Sequence, residues 1–165
     1  MYQTKYQKID LYCDWISQKQ IDEKWTPFTI NLVFKKIDSR ASKGRYEQDY
    51  RKKFLSKIQR RLESNPKRQR TSIPVDYLFA YEYDEKSLYR NCSSEKNPHH
   101  IHALIPIKNR NLHRFWNLTT STLDDRLAKD LNSIDVVQNV VIEPIAPDAI
   151  GTWLRYVYKH KNFLN

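Results

Sequence analysis

The chain has 165 residues and a formal net charge of +10, from 29 Lys and Arg against 19 Asp and Glu. This length favours a single domain spanning residues 1–165. Its two glycines, Gly44 and Gly151, cannot build a P-loop or a dinucleotide-binding fingerprint. The excess of positive charge favours a polyanionic partner, with solubility alone as the alternative explanation.

Cys13 and Cys92 lie far apart with no CxxC motif, which predicts free thiols in a reducing compartment. No apolar run approaches the roughly 20 residues of a membrane helix. The first residues also lack the apolar centre of a signal peptide. We therefore expect an intracellular protein with no membrane partner.

The first half of the chain predicts a helix, a strand and a long basic helix. A weak pattern begins at Asp10 and ends near Lys19, and Thr26-Pro27 is expected to break it. Residues 28–34 (FTINLVF) read as a strand with its even-numbered apolar residues on one face. From Ser42 to Leu62, apolar residues at helical spacing predict about five amphipathic turns. The opposite side of this helix is rich in Lys and Arg, which indicates either contacts to a DNA backbone or a solvated surface.

Two strands are predicted next, at residues 75–83 and 98–106, joined by a polar loop and therefore antiparallel neighbours. In the first, Leu78, Ala80 and Glu82 share one face. The other face carries aromatic residues that could stack on bases, namely Tyr77, Phe79, Tyr81 and Tyr83.

The rest of the chain predicts a helix or a broken pair of helices over residues 112–131, a strand at 135–143, and a final helix from Ala149 to about Lys161. Asp148 is expected to be the N-cap of that last helix. Helices and strands mix without regular βαβ alternation, so the predicted class is α+β with a largely antiparallel sheet.

The strand at 98–106 (PHHIHALIP) carries the first candidate chemistry. Side chains alternate along a strand, so His100 and His102 share a face, and His99 points to the other. Two adjacent imidazoles can hold a divalent metal ion, and Glu82 on the preceding strand could supply a carboxylate ligand. Structural histidines and an exposed glutamate are the alternatives.

The predicted last helix carries the second set of candidate catalytic residues. Tyr156 and Lys159 are three residues apart and share a helical face, whereas Tyr158 is rotated away. A phenol can attack phosphorus and leave again, and a lysine one turn on can steady the developing negative charge. Tyr158 also begins a Y-x-x-K pattern, so it is the alternative nucleophile. The lead-in Trp153-Leu154-Arg155 favours Tyr156.

Together these motifs resemble those of the HUH endonuclease superfamily, and more narrowly the rolling-circle replication initiators, or Rep proteins. His100-Ile101-His102 is similar to the motif that names the superfamily, and the segment from Tyr156 to Lys159 is similar to its tyrosine motif. The segment from Phe28 to Leu32 more loosely resembles the first-strand motif of Rep proteins. The motifs occur in the family's order over residues 28–161.

Because two isolated glycines cannot form an ATP-binding loop, we expect no helicase or ATPase domain in this chain, which would be either a single-domain Rep or an excised nuclease domain. The resemblance implies a central antiparallel sheet of about five strands flanked by helices. It implies nicking and joining of single-stranded DNA at a replication origin through a 5′-phosphotyrosine at Tyr156, assisted by Lys159. His100, His102 and Glu82 would hold Mn²⁺ or Mg²⁺. Expected partners are single-stranded DNA and an origin hairpin, with a helicase as a further candidate partner, in the cytoplasm, nucleoid or nucleus of the host. The alternatives are a single-tyrosine transposase of the same superfamily and a non-catalytic nucleic-acid-binding module.

Overall fold

The computed structural model describes residues 5–22, 24–35, 49–62, 78–83, 99–158 and 163–164. These ranges contain four α-helices and seven strands. In chain order they are α1 (Lys5–Asp22), β1 (Trp25–Phe34), α2 (Ser56–Leu62), β2 (Leu78–Tyr83), β3 (His99–Lys108), β4 (Trp116–Asn117), β5 (Thr122–Leu123), α3 (Asp125–Asn132), β6 (Val137–Pro144), α4 (Ile150–Tyr158) and β7 (Phe163–Leu164). A π-helical stretch, Tyr50–Leu55, runs directly into α2.

One antiparallel sheet with the strand order β6-β1-β3-β2-β7 organises the fold. The chain pairs β3 with both β1 and β2, and β1 with β6, in antiparallel register throughout. The predicted α+β class with an antiparallel sheet is therefore confirmed, as is the prediction that the second and third strands are neighbours. A separate two-stranded ladder joins β4 to β5.

The larger core lies against one face of the sheet. Alternate residues of β1 (Phe28, Ile30, Leu32 and Phe34) are at most 1% exposed, as the alternation predicts. They pack with Ile101, Ala103 and Ile105 of β3, with the π-helical stretch and α2, and with α3. His100 and His102 lie on the opposite face of the sheet, together with polar residues of β1.

Helices α1 and α4 cover part of that opposite face. Leu104 of β3 is completely buried beneath them. It forms a second apolar cluster with Ile9 and Ile16 of α1 and with Ile150 and Leu154 of α4. This cluster fixes α4 over the sheet at one particular place along β3.

The first helix, α1, begins at Lys5 and not at the predicted Asp10, which lies inside it. Three further local predictions are wrong. Pro27 does not precede the first strand but lies inside β1. It fits there because β6 ends where Pro144 pairs with Phe28, so the missing donor removes no bond from that ladder. Asp148 is not an N-cap but lies inside a 3₁₀ turn, Pro147–Ala149, because Pro147 starts the turn one residue earlier.

The third error concerns residues 112–131, which are not a continuous or broken helix. A 3₁₀ segment, Asn109–Arg114, is followed by the β4–β5 hairpin, and only then by α3. The Asn117 side-chain oxygen accepts hydrogen bonds from the backbone N–H groups of Thr119 and Thr120, and Ser121 takes a left-handed φ of 53°. This side-chain bonding offers the backbone an alternative to the helical ladder.

Parts of other predictions lie outside the described residues: the start of the basic helix at 42–48, the first residues of the second strand, Cys92, and the end of the last helix.

Cys13 is a free thiol, as predicted. Burial, together with the negative charges of Asp10 and Asp14, raises the pKa of this thiol, which makes it a poor nucleophile at neutral pH. Within the described ranges, no helix combines the length and apolar character needed to cross a membrane.

Gly151 in α4 offers a test of how α1 and α4 pack. A Cβ added there would lie 3.6 Å from the Sγ atom of Cys13, an ordinary van der Waals contact. Gly151→Ala is therefore expected to raise the free energy of unfolding by about 0.5 kcal/mol, since alanine favours the helix and restricts the unfolded chain. Urea denaturation measures this. Gly151→Val should not raise the free energy of unfolding, because valine is β-branched and would crowd Cys13. If Gly151→Ala lowered this free energy, the 3.6 Å distance from the added Cβ to Cys13 would be contradicted.

Candidate active site

His100 and His102 lie side by side on the sheet face opposite the larger core. Their ring centroids are 4.9 Å apart, with the rings nearly perpendicular at 84°. Ile101 between them is completely buried in the core on the other side. The placement follows directly from strand alternation, which requires only that β3 be regular at this point.

The two histidines differ in their access to solvent. His102 is buried, with 7% of its surface exposed, whereas His100 is half-buried. A buried imidazole on an otherwise apolar strand requires polar partners or a ligand to offset the loss of hydration. The pair therefore has one deep and one more accessible member.

Tyr156 of α4 contacts the deeper histidine. Its ring centroid lies 5.7 Å from that of His102, in an edge-to-face arrangement at 84°. Tyr156 nevertheless remains 51% exposed. A phenol from the end of the chain and two imidazoles from its middle therefore meet on one open surface.

The placement of Tyr156 follows from the apolar stripe of α4. Ile150, Leu154 and Val157 recur at four- and three-residue steps and are all buried. Tyr156 lies beside this stripe, at the edge where the helix meets the sheet. Tyr158 is rotated by about 200° from Tyr156 along an ideal helix, and α4 ends at this residue.

Glu82 is placed by backbone register. Its Cα is the partner of His100 in the β2–β3 ladder, and Ala80 is the partner of His102. Directly opposite residues of an antiparallel pair share a face, so Glu82 lies on the histidine face of the sheet. Among the described side chains, which do not include those of β2, no cluster of three or more His, Cys, Asp or Glu could hold a metal ion.

The same register puts the aromatic residues of β2 on the other face. Phe79 pairs with Ala103 and Tyr81 with Ile101, both of which belong to the larger core. Tyr77, proposed with them for base stacking, lies outside the described residues, as does Lys159. The Cα partner of His99 is Tyr83, whereas that of His100 is Glu82. Strand alternation therefore assigns His99 and His100 to opposite faces of the sheet.

The basic helix lies across the sheet from the tyrosine. Phe54 and Ile58 bury its apolar side in the larger core, and Lys52 and Arg60 are exposed. Other cations have local partners: the ammonium group of Lys53 lies 3.2 Å from a carboxylate oxygen of Asp49. Cations of this helix are therefore exposed to solvent on the side of the sheet away from the histidines.

One residue of this surface was not predicted as part of a site. Asn31 of β1 is exposed, and its Cα pairs with that of His102. The sequence contained a signal for it: if the even-numbered residues of β1 face the core, Asn31 faces the other way, with Thr29 and Val33.

No protein-family model, curated protein or solved structure matches this chain. The functional assignment therefore rests on side-chain geometry and on the motif resemblance. The geometry combines a solvent-accessible phenol, suited to nucleophilic attack, with a pair of imidazoles suited to a divalent ion.

Proposed function

We propose that this protein is a metal-dependent nuclease and strand transferase of the HUH type, which nicks and rejoins single-stranded DNA at a replication origin. The observation that carries the proposal is the contact between Tyr156 and His102. These residues come from separate motifs, 54 positions apart in the chain, yet lie on one surface. In the proposed fold the sheet has about five strands, as in Rep proteins.

The chemistry proposed for Tyr156 is a transesterification. Its phenol oxygen attacks the scissile phosphorus and gives up its proton, forming a 5′-phosphotyrosine. The bond from phosphorus to the 3′ oxygen breaks, and that oxygen takes a proton to become a free 3′-hydroxyl. A 3′-hydroxyl can reverse the reaction and release the phenol, and because the phosphodiester energy is conserved, joining needs no ATP.

His100 and His102 fit a divalent metal ion, Mn²⁺ or Mg²⁺, with Glu82 as the third ligand. Glu82 is the Cα partner of His100 across the β2–β3 ladder, so it would complete a two-histidine, one-carboxylate set that leaves coordination positions open. When bound, the ion would polarise the phosphate and offset charge on its oxygens. Lys159, one helical turn beyond Tyr156, would steady the phenolate or the phosphate.

Affinity for DNA would come mainly from the net charge of +10. Exposed cations such as Lys52 and Arg60 lie across the sheet from Tyr156, so they would hold DNA flanking the nick, such as the stem of an origin hairpin. Unwinding of the duplex would fall to a helicase, because the two isolated glycines of these 165 residues cannot form a P-loop.

The test is incubation with a pool of randomised single-stranded oligonucleotides and Mn²⁺ or Mg²⁺. A protein–DNA adduct that survives SDS should appear with metal and disappear with EDTA. Absence of an adduct with either metal would overturn the nuclease proposal and leave a binding module. If adducts form only with hairpin ends of a mobile element, the single-tyrosine transposase becomes the better assignment.

A further inference from the structure

We propose that Asn31 binds the DNA strand at the scissile step, donating a hydrogen bond from its side-chain amide to the phosphate that Tyr156 attacks. This inference rests on the proposed nuclease function and adds a residue that the tyrosine and histidine motifs do not contain. It starts from the position of Asn31 in the middle of β1, an inner strand of the sheet that is paired on both sides.

Asn31 adjoins the histidine pair. In the β1–β3 ladder it is the partner of His102, and its neighbour Val33 is the partner of His100. Side chains of directly opposite residues start about 5 Å apart and stand on the same face of the sheet. His102 is therefore flanked by Asn31 across one ladder and by Tyr156 above it.

Asn31 is also exposed where its neighbours are not. Ile30 and Leu32, on either side of it, are at most 1% exposed and belong to the core. Helices α1 and α4 cover Leu104 farther along β3, but the surface above Asn31 is open to solvent. A ligand that reaches Tyr156 and the histidines from solvent would pass over this residue.

No structural role explains the amide. Within the part of the chain that the structure describes, the Asn31 side chain makes no hydrogen bond. Thr29, the preceding polar residue on this face, differs because its hydroxyl donates to the Glu143 carbonyl oxygen at 3.3 Å. Asparagine is disfavoured in strands, so an exposed asparagine on an inner strand beside His102 is a candidate for contact with a ligand.

A phosphate is the ligand that this position fits. The amide presents two N–H donors without adding charge, and hydrogen bonds to an anionic acceptor are stronger than those between neutral groups. Glu143 and Asn139 on β6 share this face at positions opposite Thr29 and Val33. The Glu143 carboxylate would repel a phosphate from the Thr29 end, which leaves the Asn31 and histidine end for the anion.

The experiment compares Asn31→Ala with Asn139→Ala. Asn139 is a matched control, because it is also an exposed asparagine on this face but lies one strand farther from His102. Single-turnover adduct formation is measured with saturating Mn²⁺ and an oligonucleotide selected from the randomised pool. We expect the rate to fall about 10- to 100-fold for Asn31→Ala, the effect of losing one hydrogen bond to a charged group. Asn139→Ala should stay within about twofold of wild type.

Further measurements separate a phosphate contact from other roles. Asn31→Val, which suits a strand and carries no hydrogen-bond donor, should lose rate as Asn31→Ala does while keeping the melting temperature of wild type. The loss should be the same for oligonucleotides with different bases beside the nick, because phosphate contacts carry no sequence information. Mn²⁺ affinity by calorimetry should be unchanged.

The outcomes distinguish this inference from the proposed function. If wild type forms the adduct and Asn31→Ala reacts at the same rate, only the role of Asn31 is overturned. A loss that depends on the neighbouring base, or that follows a loss of Mn²⁺ affinity, also overturns the phosphate contact. If wild type forms no adduct with any metal, both proposals fail.

Discussion

Tyr156→Phe is expected to eliminate the SDS-resistant protein–DNA adduct, with a loss of at least about 10³-fold in single-turnover rate. The substitution removes one oxygen atom and keeps the ring that contacts His102. Because the substitution removes a single atom from a residue that is 51% exposed, the melting temperature should change little. DNA binding, measured by fluorescence anisotropy, should also persist, since most of the affinity is expected from Lys and Arg and not from this phenol.

Tyr158→Phe is the matched control, with the same chemical change two residues away. It should retain adduct formation, because a two-residue step along an ideal helix is a rotation of about 200° from Tyr156, the tyrosine whose ring contacts His102. The reverse pattern, with adduct lost only in Tyr158→Phe, would assign the nucleophile to Tyr158 and contradict the proposed geometry. Peptide mapping of the wild-type adduct identifies the modified tyrosine directly.

Strong periodicity made the sheet predictable from the sequence. The apolar alternation of β1 and the long apolar run of β3 each specify a strand, and a register error of one residue would expose the core face. The same alternation places His100 and His102 on one face without tertiary information. The class of the fold and half of the candidate site therefore follow from local pattern.

The prediction failed where side chains compete with regular backbone bonding. Leucines at helical spacing between residues 112 and 131 suggested a helix, yet the Asn117 side chain bonds the backbone of the β4–β5 turn instead. Leu118 at this turn is 72% exposed, so it was never part of an apolar face. Periodicity alone cannot separate an apolar residue that packs from one that a turn leaves in solvent.

The meeting of Tyr156 with His102 could not be predicted, because it depends on how α4 docks. Leu154 and Ile150 pack on Leu104, two residues beyond His102 in β3, and this contact sets where the helix crosses the sheet. Sequence spacing says only that Tyr156 lies beside the apolar stripe of α4. Asn31 was missed for a related reason, since its importance depends on being the cross-strand partner of His102.

His102→Ala is expected to abolish cleavage while leaving most DNA binding intact. The imidazole is the deeper member of the proposed metal pair and the one that contacts Tyr156. Loss of one of three ligands should lower Mn²⁺ affinity and the rate of adduct formation, the latter by at least about 100-fold. The dissociation constant for single-stranded DNA should change by less than about threefold, because affinity comes mainly from Lys and Arg contacts to phosphates.

Two further variants test whether the loss of cleavage in His102→Ala comes from a loss of folding. His102→Gln keeps most of the side-chain volume over the sheet, and it should lose cleavage as completely as the alanine variant while melting closer to wild type. His113→Ala, at an exposed position in the 3₁₀ segment, should retain cleavage. The salt dependence of DNA binding should have the same slope in all of these proteins, since no phosphate-contacting cation is removed. Parallel loss of binding and cleavage in His102→Gln would instead mean that His102 contacts DNA directly, and the metal assignment would be wrong.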